Sequence, residues 1–152
     1  MKLLFSLIIT LSIGAIAGYA TASNIDTWYV HLQKPSYNPP NYIFAPVWTV
    51  LYILMGISLY LVWKQPALAD RRRALMFFFI QLFLNFCWSF IFFYFHQIAF
   101  AMVDIVLLWV AILITILLFS SFNKTASWLL VPYISWVSFA TVLNIAIYKL
   151  NA

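Results

Sequence analysis

The chain has 152 residues, 66% of them hydrophobic and 7% charged, with a mean hydropathy of +1.02 and a formal net charge of +5. Soluble domains are about half apolar and about a quarter charged, and a chain this short leaves much of its surface exposed, so a water-soluble fold is excluded. The basic residues include only one cluster, Arg71-Arg72-Arg73 with Lys64 upstream, too few for the many phosphate contacts of nucleic-acid binding.

Five apolar runs follow one another: 3–22, 45–63, 74–95, 98–119 and 126–148. Each is 19 to 23 residues long, and about 20 are needed to cross the hydrocarbon core as a helix. Barrel strands would alternate and be about half that length. The expectation is an all-α integral membrane protein, one domain over residues 1–152, built as a bundle of five transmembrane helices.

The first run follows Lys2 and ends in Ala20-Thr21-Ala22, the layout of a cleavable signal peptide. It is nonetheless long enough to span, and Gly14 and Gly18 form a GxxxG spacing that packs helix against helix, which favours a true first helix. The connection 23–44 holds Trp28, Tyr29, Tyr37, Tyr42 and the prolines Pro35, Pro39 and Pro40. So long and aromatic a loop reads as a lid, or as an interfacial aromatic belt. After the second run, 64–73 is a polar connector. His96-Gln97 is barely a turn, so the third and fourth helices are antiparallel neighbours.

Six basic residues, Lys2, Lys64, Arg71, Arg72, Arg73 and Lys124, fall on one side of such a bundle, and Lys34 and Lys149 on the other. The positive-inside rule then places the N-terminus in the cytoplasm of a bacterial-type inner (plasma) membrane, with the long loop outside.

Polar and aromatic residues at helical spacing mark candidate sites. Gln81, Asn85 and Trp88 share a face of the third helix; Trp136, Ala140, Leu143 and Asn144 share one on the fifth; Trp48, Tyr52 and Met55 share one on the second. If the three stripes converge, they form an apolar, aromatic-walled small-molecule pocket. The alternative is that the amides bond neighbouring helices and the rings are packing.

Asp104 is the one ionisable carboxyl well inside a span, six residues into its helix, or roughly 9 Å along the axis. It is either functional, the default for a charge in lipid, or hydrated near the headgroups. His31 and His96 could ligate haem iron, but both sit in loops where exposed histidine is ordinary. The lone Cys87 permits no disulfide and no multi-cysteine metal site. Leu54, Tyr60 and Lys64 satisfy a loose sterol-contact pattern that arises by chance in aromatic membrane helices. No nucleophile with a base, phosphate loop or carboxylate pair is present, so a conventional hydrolase or transferase is unsupported.

Trp28-Tyr29, Leu32-Gln33-Lys34-Pro35-Ser36, Pro39-Pro40, Pro46-Val47-Trp48-Thr49, Leu51-Tyr52, Met55-Gly56, Gln81, Leu84-Asn85, Trp88, Ala101 to Asp104, Pro132-Tyr133, Trp136, Phe139-Ala140-Thr141 and Leu143-Asn144 occur in that order. This pattern resembles the tryptophan-rich sensory protein family, also called the translocator protein or peripheral-type benzodiazepine receptor family, over all five helices. The resemblance implies a five-helix bundle, often a homodimer, with a ligand pocket closed by the first loop. Its ligands would be porphyrin or haem, or another lipophilic small molecule, with no cofactor required and no metal site.

Carried onto this chain, the resemblance implies a pocket lined by Trp48, Tyr52, Asn85, Trp88, Phe100, Trp136, Ala140 and Leu143, under a lid of Trp28, Pro35, Tyr37, Pro39 and Pro40. Trp48 and Trp136 match the tryptophans linked to light-dependent porphyrin breakdown in bacterial relatives. Ile145 and Ala146 stand where animal members carry a tyrosine-bearing sterol motif, which weakens a sterol role. Tyr37 and Phe100 stand where relatives have tryptophan.

The function expected is a tetrapyrrole-binding membrane sensor or regulator of porphyrin level, with the macrocycle stacked on indoles and its propionates near Lys34. The alternatives are a light-dependent porphyrin-degrading enzyme, with Trp48 and Trp136 as its catalytic pair, and a transporter of a lipophilic molecule.

Overall fold

The computed structural model describes residues 1–152 as six helices in five spans. They are α1 (Lys2–Ile25), α2 (Phe44–Trp63), α3 (Ala69–Ser89), α4 (Ile98–Ser120), α5 (Lys124–Leu129) and α6 (Val131–Asn151), with α5 and α6 forming the fifth span. All five spans are long and apolar enough to cross a membrane.

The helix ends have local causes. Pro46 sits in the first turn of α2, where its missing N–H costs nothing. At the other end, Arg71 Nη1 donates to the carbonyls of Trp63 (2.9 Å) and Gln65 (2.7 Å) and so caps α2. The expected connector 64–73 is therefore shorter than the polar composition suggests. Asp70 lies in the first turn of α3, where a negative charge suits the helix dipole, and the three arginines belong to that helix. In the fifth span Asn123 Oδ1 accepts from the Ala126 N–H at 3.0 Å and caps α5. Pro132 has no N–H for the Trp128 carbonyl, and the helix restarts around Leu130.

α1 and α2 pack closely along the N-terminal half of α1. A Cβ on Gly56 would meet Leu7 and Thr10 at 2.8 Å, and one on Gly14 would meet the Tyr52 ring at 2.5 Å. Thr10 Oγ1 donates to the Tyr52 carbonyl at 2.8 Å. One turn further along α1 the contact ends: a Cβ on Gly18 would have nothing within 4 Å. Of the GxxxG pair, only Gly14 serves close packing, because the two helices diverge beyond it.

A buried chain of hydrogen bonds joins α2, α3 and α6. Tyr52 Oη donates to Asn85 Oδ1 (2.6 Å), Asn85 Nδ2 to Tyr133 Oη (2.7 Å), and Tyr133 Oη to Gln81 Oε1 (2.7 Å). Ser58 Oγ ties α2 to the Ala126 carbonyl at 2.7 Å, and Trp109 Nε1 ties α4 to Ser138 Oγ at 2.8 Å. Asp104 faces inward with Ala101, Ile105 and Leu108, and its Oδ2 has no partner.

Candidate functional site

The 26–43 connection folds down onto the end of the bundle where α1 ends and α2 begins, because its aromatic rings find partners there. Trp28 stacks on His96, with centroids 4.1 Å apart, and meets Phe92 edge-on. His96 turns the chain between α3 and α4 at φ 58° and reaches Asn24 Oδ1 with Nε2 at 3.2 Å. Tyr37 lies against Phe139 of α6. Asn151, at the end of α6, clamps Gln33 from both sides: its Oδ1 accepts from the Gln33 N–H (3.0 Å) and its Nδ2 donates to the Gln33 carbonyl (2.9 Å).

Tyr29 is the buried keystone of the loop. It is 1% exposed, packs on Phe44, Phe92 and Phe93, and donates its hydroxyl to Asn38 Oδ1 at 2.6 Å. Burial pushes its pKa up to about 12, with the Asn38 bond opposing. Lys34 closes the same turn by donating to the carbonyls of Tyr29 (2.9 Å), Leu32 (3.0 Å) and Val30 (3.2 Å). Desolvation lowers its pKa. Its ammonium is thus already engaged, and a propionate at Lys34 would have to displace these carbonyls.

Beneath Tyr29 lies a cavity walled by α2, α3 and α6. Trp48, Trp88 and Trp136 line it, with Phe44, Phe92 and Phe139 between them and Ala140 and Leu143 behind; 11 of its 13 lining residues are hydrophobic. The few polar groups are spoken for. Trp88 Nε1 donates to Asn144 Oδ1 (3.0 Å), and Asn144 Nδ2 donates to the Ile98 carbonyl (3.2 Å). The indoles sit at stacking distances from other rings: Trp88 lies 5.3 Å from Phe92 at 24°, and Trp136 lies 5.7 Å from Phe139 and 6.3 Å from Phe44. The free volume is only about 20 Å³, room for one water. Any larger ligand has to move the walls.

A second, larger cavity of about 490 Å³ opens on the other side of Trp48, between the C-terminal half of α1 and the N-terminal half of α2 (their outer halves in the expected orientation). Gly14, Ala15, Gly18 and Ala22 form one wall, and Ala45, Thr49 and Tyr52 the other. Thr21, Phe44 and Trp48 border both cavities.

Five of the eight expected pocket residues, Trp48, Trp88, Trp136, Ala140 and Leu143, thus meet on one cavity. Tyr52 and Asn85 do not line it, since their polar ends are spent on the buried chain, although the Tyr52 ring borders the α1–α2 groove. Phe100 is 67% exposed. It precedes Ala101, which is on the inward face of α4, and a step of one residue turns the side chain about 100° toward lipid. Of the expected lid, Trp28 and Tyr37 contact rings of the bundle, while Pro35 lies between them in the chain and Pro39 and Pro40 follow Tyr37 on the way to α2. His31 is exposed and His96 is spent on Trp28, and neither lines either cavity.

Spacing missed Phe93, and the reason is local. Phe90–Tyr94 form a π-helical turn, with the Phe95 N–H reaching the Phe90 carbonyl at 2.8 Å. The wider turn lets the consecutive residues Phe92 and Phe93 both face the cavity. Phe92 was missed as well, although it continues the stripe four residues beyond Trp88.

The sequence model of the TspO/MBR family matches residues 5–150. The tryptophan-rich protein TspO of Archaeoglobus fulgidus is 43% identical over 152 residues, covering 100% of this chain and 98% of that one. The translocator protein of Homo sapiens is 38% identical over 126 residues, which is 82% of this chain and 75% of its own. The tryptophan-rich sensory protein of Cereibacter sphaeroides is 33% identical over 138 residues, or 91% and 85%.

Proposed function

The chain belongs to the TspO/MBR family of membrane proteins, and from that premise we propose that it binds a tetrapyrrole, porphyrin or haem, and acts as a sensor or regulator of porphyrin level. The observation that carries this reading is the convergence of Trp48, Trp88 and Trp136 on one apolar cavity under the loop. A flat, apolar macrocycle is the ligand that several indole faces accommodate best, because stacking needs area rather than donors or acceptors. The small free volume supports sensing. A ligand that fits only by displacing walls binds the expanded state better than the closed one, and so shifts the population between them. Tyr29 joins that wall to the loop on the outer surface, which gives the shift an exit.

Light-driven porphyrin breakdown is a second reading, favoured by the presence of Trp48 and Trp136 on the same cavity. Titration of the purified protein with protoporphyrin and with haem, followed by illumination and product analysis, tests both. Saturable quenching of tryptophan emission without loss of porphyrin in light supports the sensor. Light-dependent loss that needs both tryptophans supports the enzyme. Absence of saturable binding would refute the tetrapyrrole reading.

A further inference from the structure

We propose that the groove between the outer halves of α1 and α2 is a lateral vestibule, through which a planar apolar ligand dissolved in the bilayer reaches the buried pocket, with Trp48 and Phe44 as the partition that swings aside. The proposal deepens the tetrapyrrole reading and rests on it for the identity of the ligand.

The first support is geometric. α1 and α2 are in close contact as far as Gly14, where an added Cβ would lie 2.5 Å from Tyr52, and separate by Gly18, where it would meet nothing within 4 Å. Gly18 lies seven residues inside the end of α1, roughly 10 Å along the axis, so the groove opens at acyl-chain depth. Its α1 wall is exposed at Leu11, Ala15, Gly18 and Ala22. In a five-span protein this exposure is to lipid.

The second support is size and continuity. At about 490 Å³ the groove lies in the range of small-molecule sites, whereas the buried cavity holds about 20 Å³. The two are separated by side chains rather than backbone, since Thr21, Phe44 and Trp48 face both. Rotating the Trp48 indole would join them.

The third is that the aqueous side is shut. The loop is pinned by Trp28 on His96, by the paired Gln33–Asn151 hydrogen bonds and by Lys34 on three carbonyls. A macrocycle that partitions into hydrocarbon would gain nothing by leaving it to pass beneath that cap.

The test uses the full chain in lipid nanodiscs, with protoporphyrin IX delivered from vesicles and followed by stopped-flow quenching. Gly18→Phe fills open space and should leave the fold intact. It is expected to slow association and release together, by about one to two decades, with the equilibrium affinity unchanged. Asn151→Ala, which removes the loop clamp, is expected to associate at the wild-type rate. A wild-type rate in Gly18→Phe, or acceleration by Asn151→Ala, would overturn the vestibule in favour of passage under the loop. Weaker affinity with faster release in Gly18→Phe would also overturn it, by making the groove the binding site itself.

A readout without porphyrin separates this proposal from the pocket reading. Phospholipids brominated at mid-chain should quench the part of the emission that is lost in Trp48→Phe, and Gly18→Phe should protect that part. If Trp48 is not quenched in the wild type, the bilayer does not reach the partition and the vestibule fails, whether or not porphyrin binds. If Trp48 is quenched but porphyrin does not bind, the tetrapyrrole reading fails and the lipid-open groove stands.

Discussion

The buried chain Tyr52–Asn85–Tyr133–Gln81 separates two roles that polar residues on these helices could have, ligand contact or helix-to-helix bonding. Tyr133→Phe removes one oxygen that makes two hydrogen bonds, at 2.7 Å from Asn85 Nδ2 and at 2.7 Å to Gln81 Oε1. Tyr52→Phe removes one bond, at 2.6 Å. Interhelical hydrogen bonds in membranes average about 0.6 kcal/mol and reach about 1.7. Tyr52→Phe should therefore cost roughly 0.6 kcal/mol and Tyr133→Phe roughly 1–3 kcal/mol. The upper end is the closer expectation for Tyr133, because Gln81 Nε2 already lacks a partner and the mutation would strand its Oε1 as well.

The assay is reversible unfolding in mixed micelles, followed by helicity, beside protoporphyrin titration of the same samples. Neither hydroxyl lines the buried cavity, so affinity should stay within about twofold of wild type, since no ligand contact is lost. The double mutant should lose less than the sum of the singles, because both hydroxyls act through Asn85. Stability unchanged with affinity lost would refute the reasoning and make the chain part of the ligand site.

Trp136→Ala should weaken protoporphyrin binding by about 1–3 kcal/mol, by analogy with stacked bases, and abolish any light-driven loss of porphyrin; unchanged titration and photochemistry would remove Trp136 from the site. The folded chain holds the Tyr29 proton more tightly than the unfolded one, with a pKa near 12 against 10, so the Tyr29 contribution to loop stability should be constant below pH 10 and fall as pH rises toward 12. Tyr29→Phe should lack that transition in ultraviolet difference spectra and in limited proteolysis of the loop. Single cysteines at Arg72 and at Tyr42, on a Cys87→Ala background, should label from opposite sides, Tyr42→Cys from outside; the reverse pattern would invert the proposed topology. Asp104→Asn should leave detergent stability equal or raised, since Asp104 Oδ2 has no partner to lose; a large loss would reveal a bond the carboxylate makes.

The spans were legible because crossing a membrane demands only length and apolarity, and both are written in composition. Their ends were less so. Arg71 to Arg73 look like a loop by charge, yet Arg71 caps one helix from within the next, an interaction between segments that no local pattern reveals. The same division runs through the site. Helical spacing places Trp48, Trp88 and Trp136 around their axes, and the three indoles meet as the stripes imply. Spacing does not say what lies opposite at a given depth. Tyr52 and Asn85 share stripes with the pocket tryptophans, but at their depth another helix presents Tyr133, and they bond to the bundle instead.

Gly14 and Gly18 make the point from one motif. Identical residues one turn apart lie on the same face, and the pattern treats them alike. Tyr52 fills the space opposite Gly14, and nothing fills the space opposite Gly18, where the groove opens. The two helices are tied at one end by Thr10 bonded to the Tyr52 carbonyl, and at the other the packed loop holds α2 through Tyr29 on Phe44. The groove is therefore a product of the whole arrangement. A single large side chain at position 18 tests it without disturbing the contacts that create it.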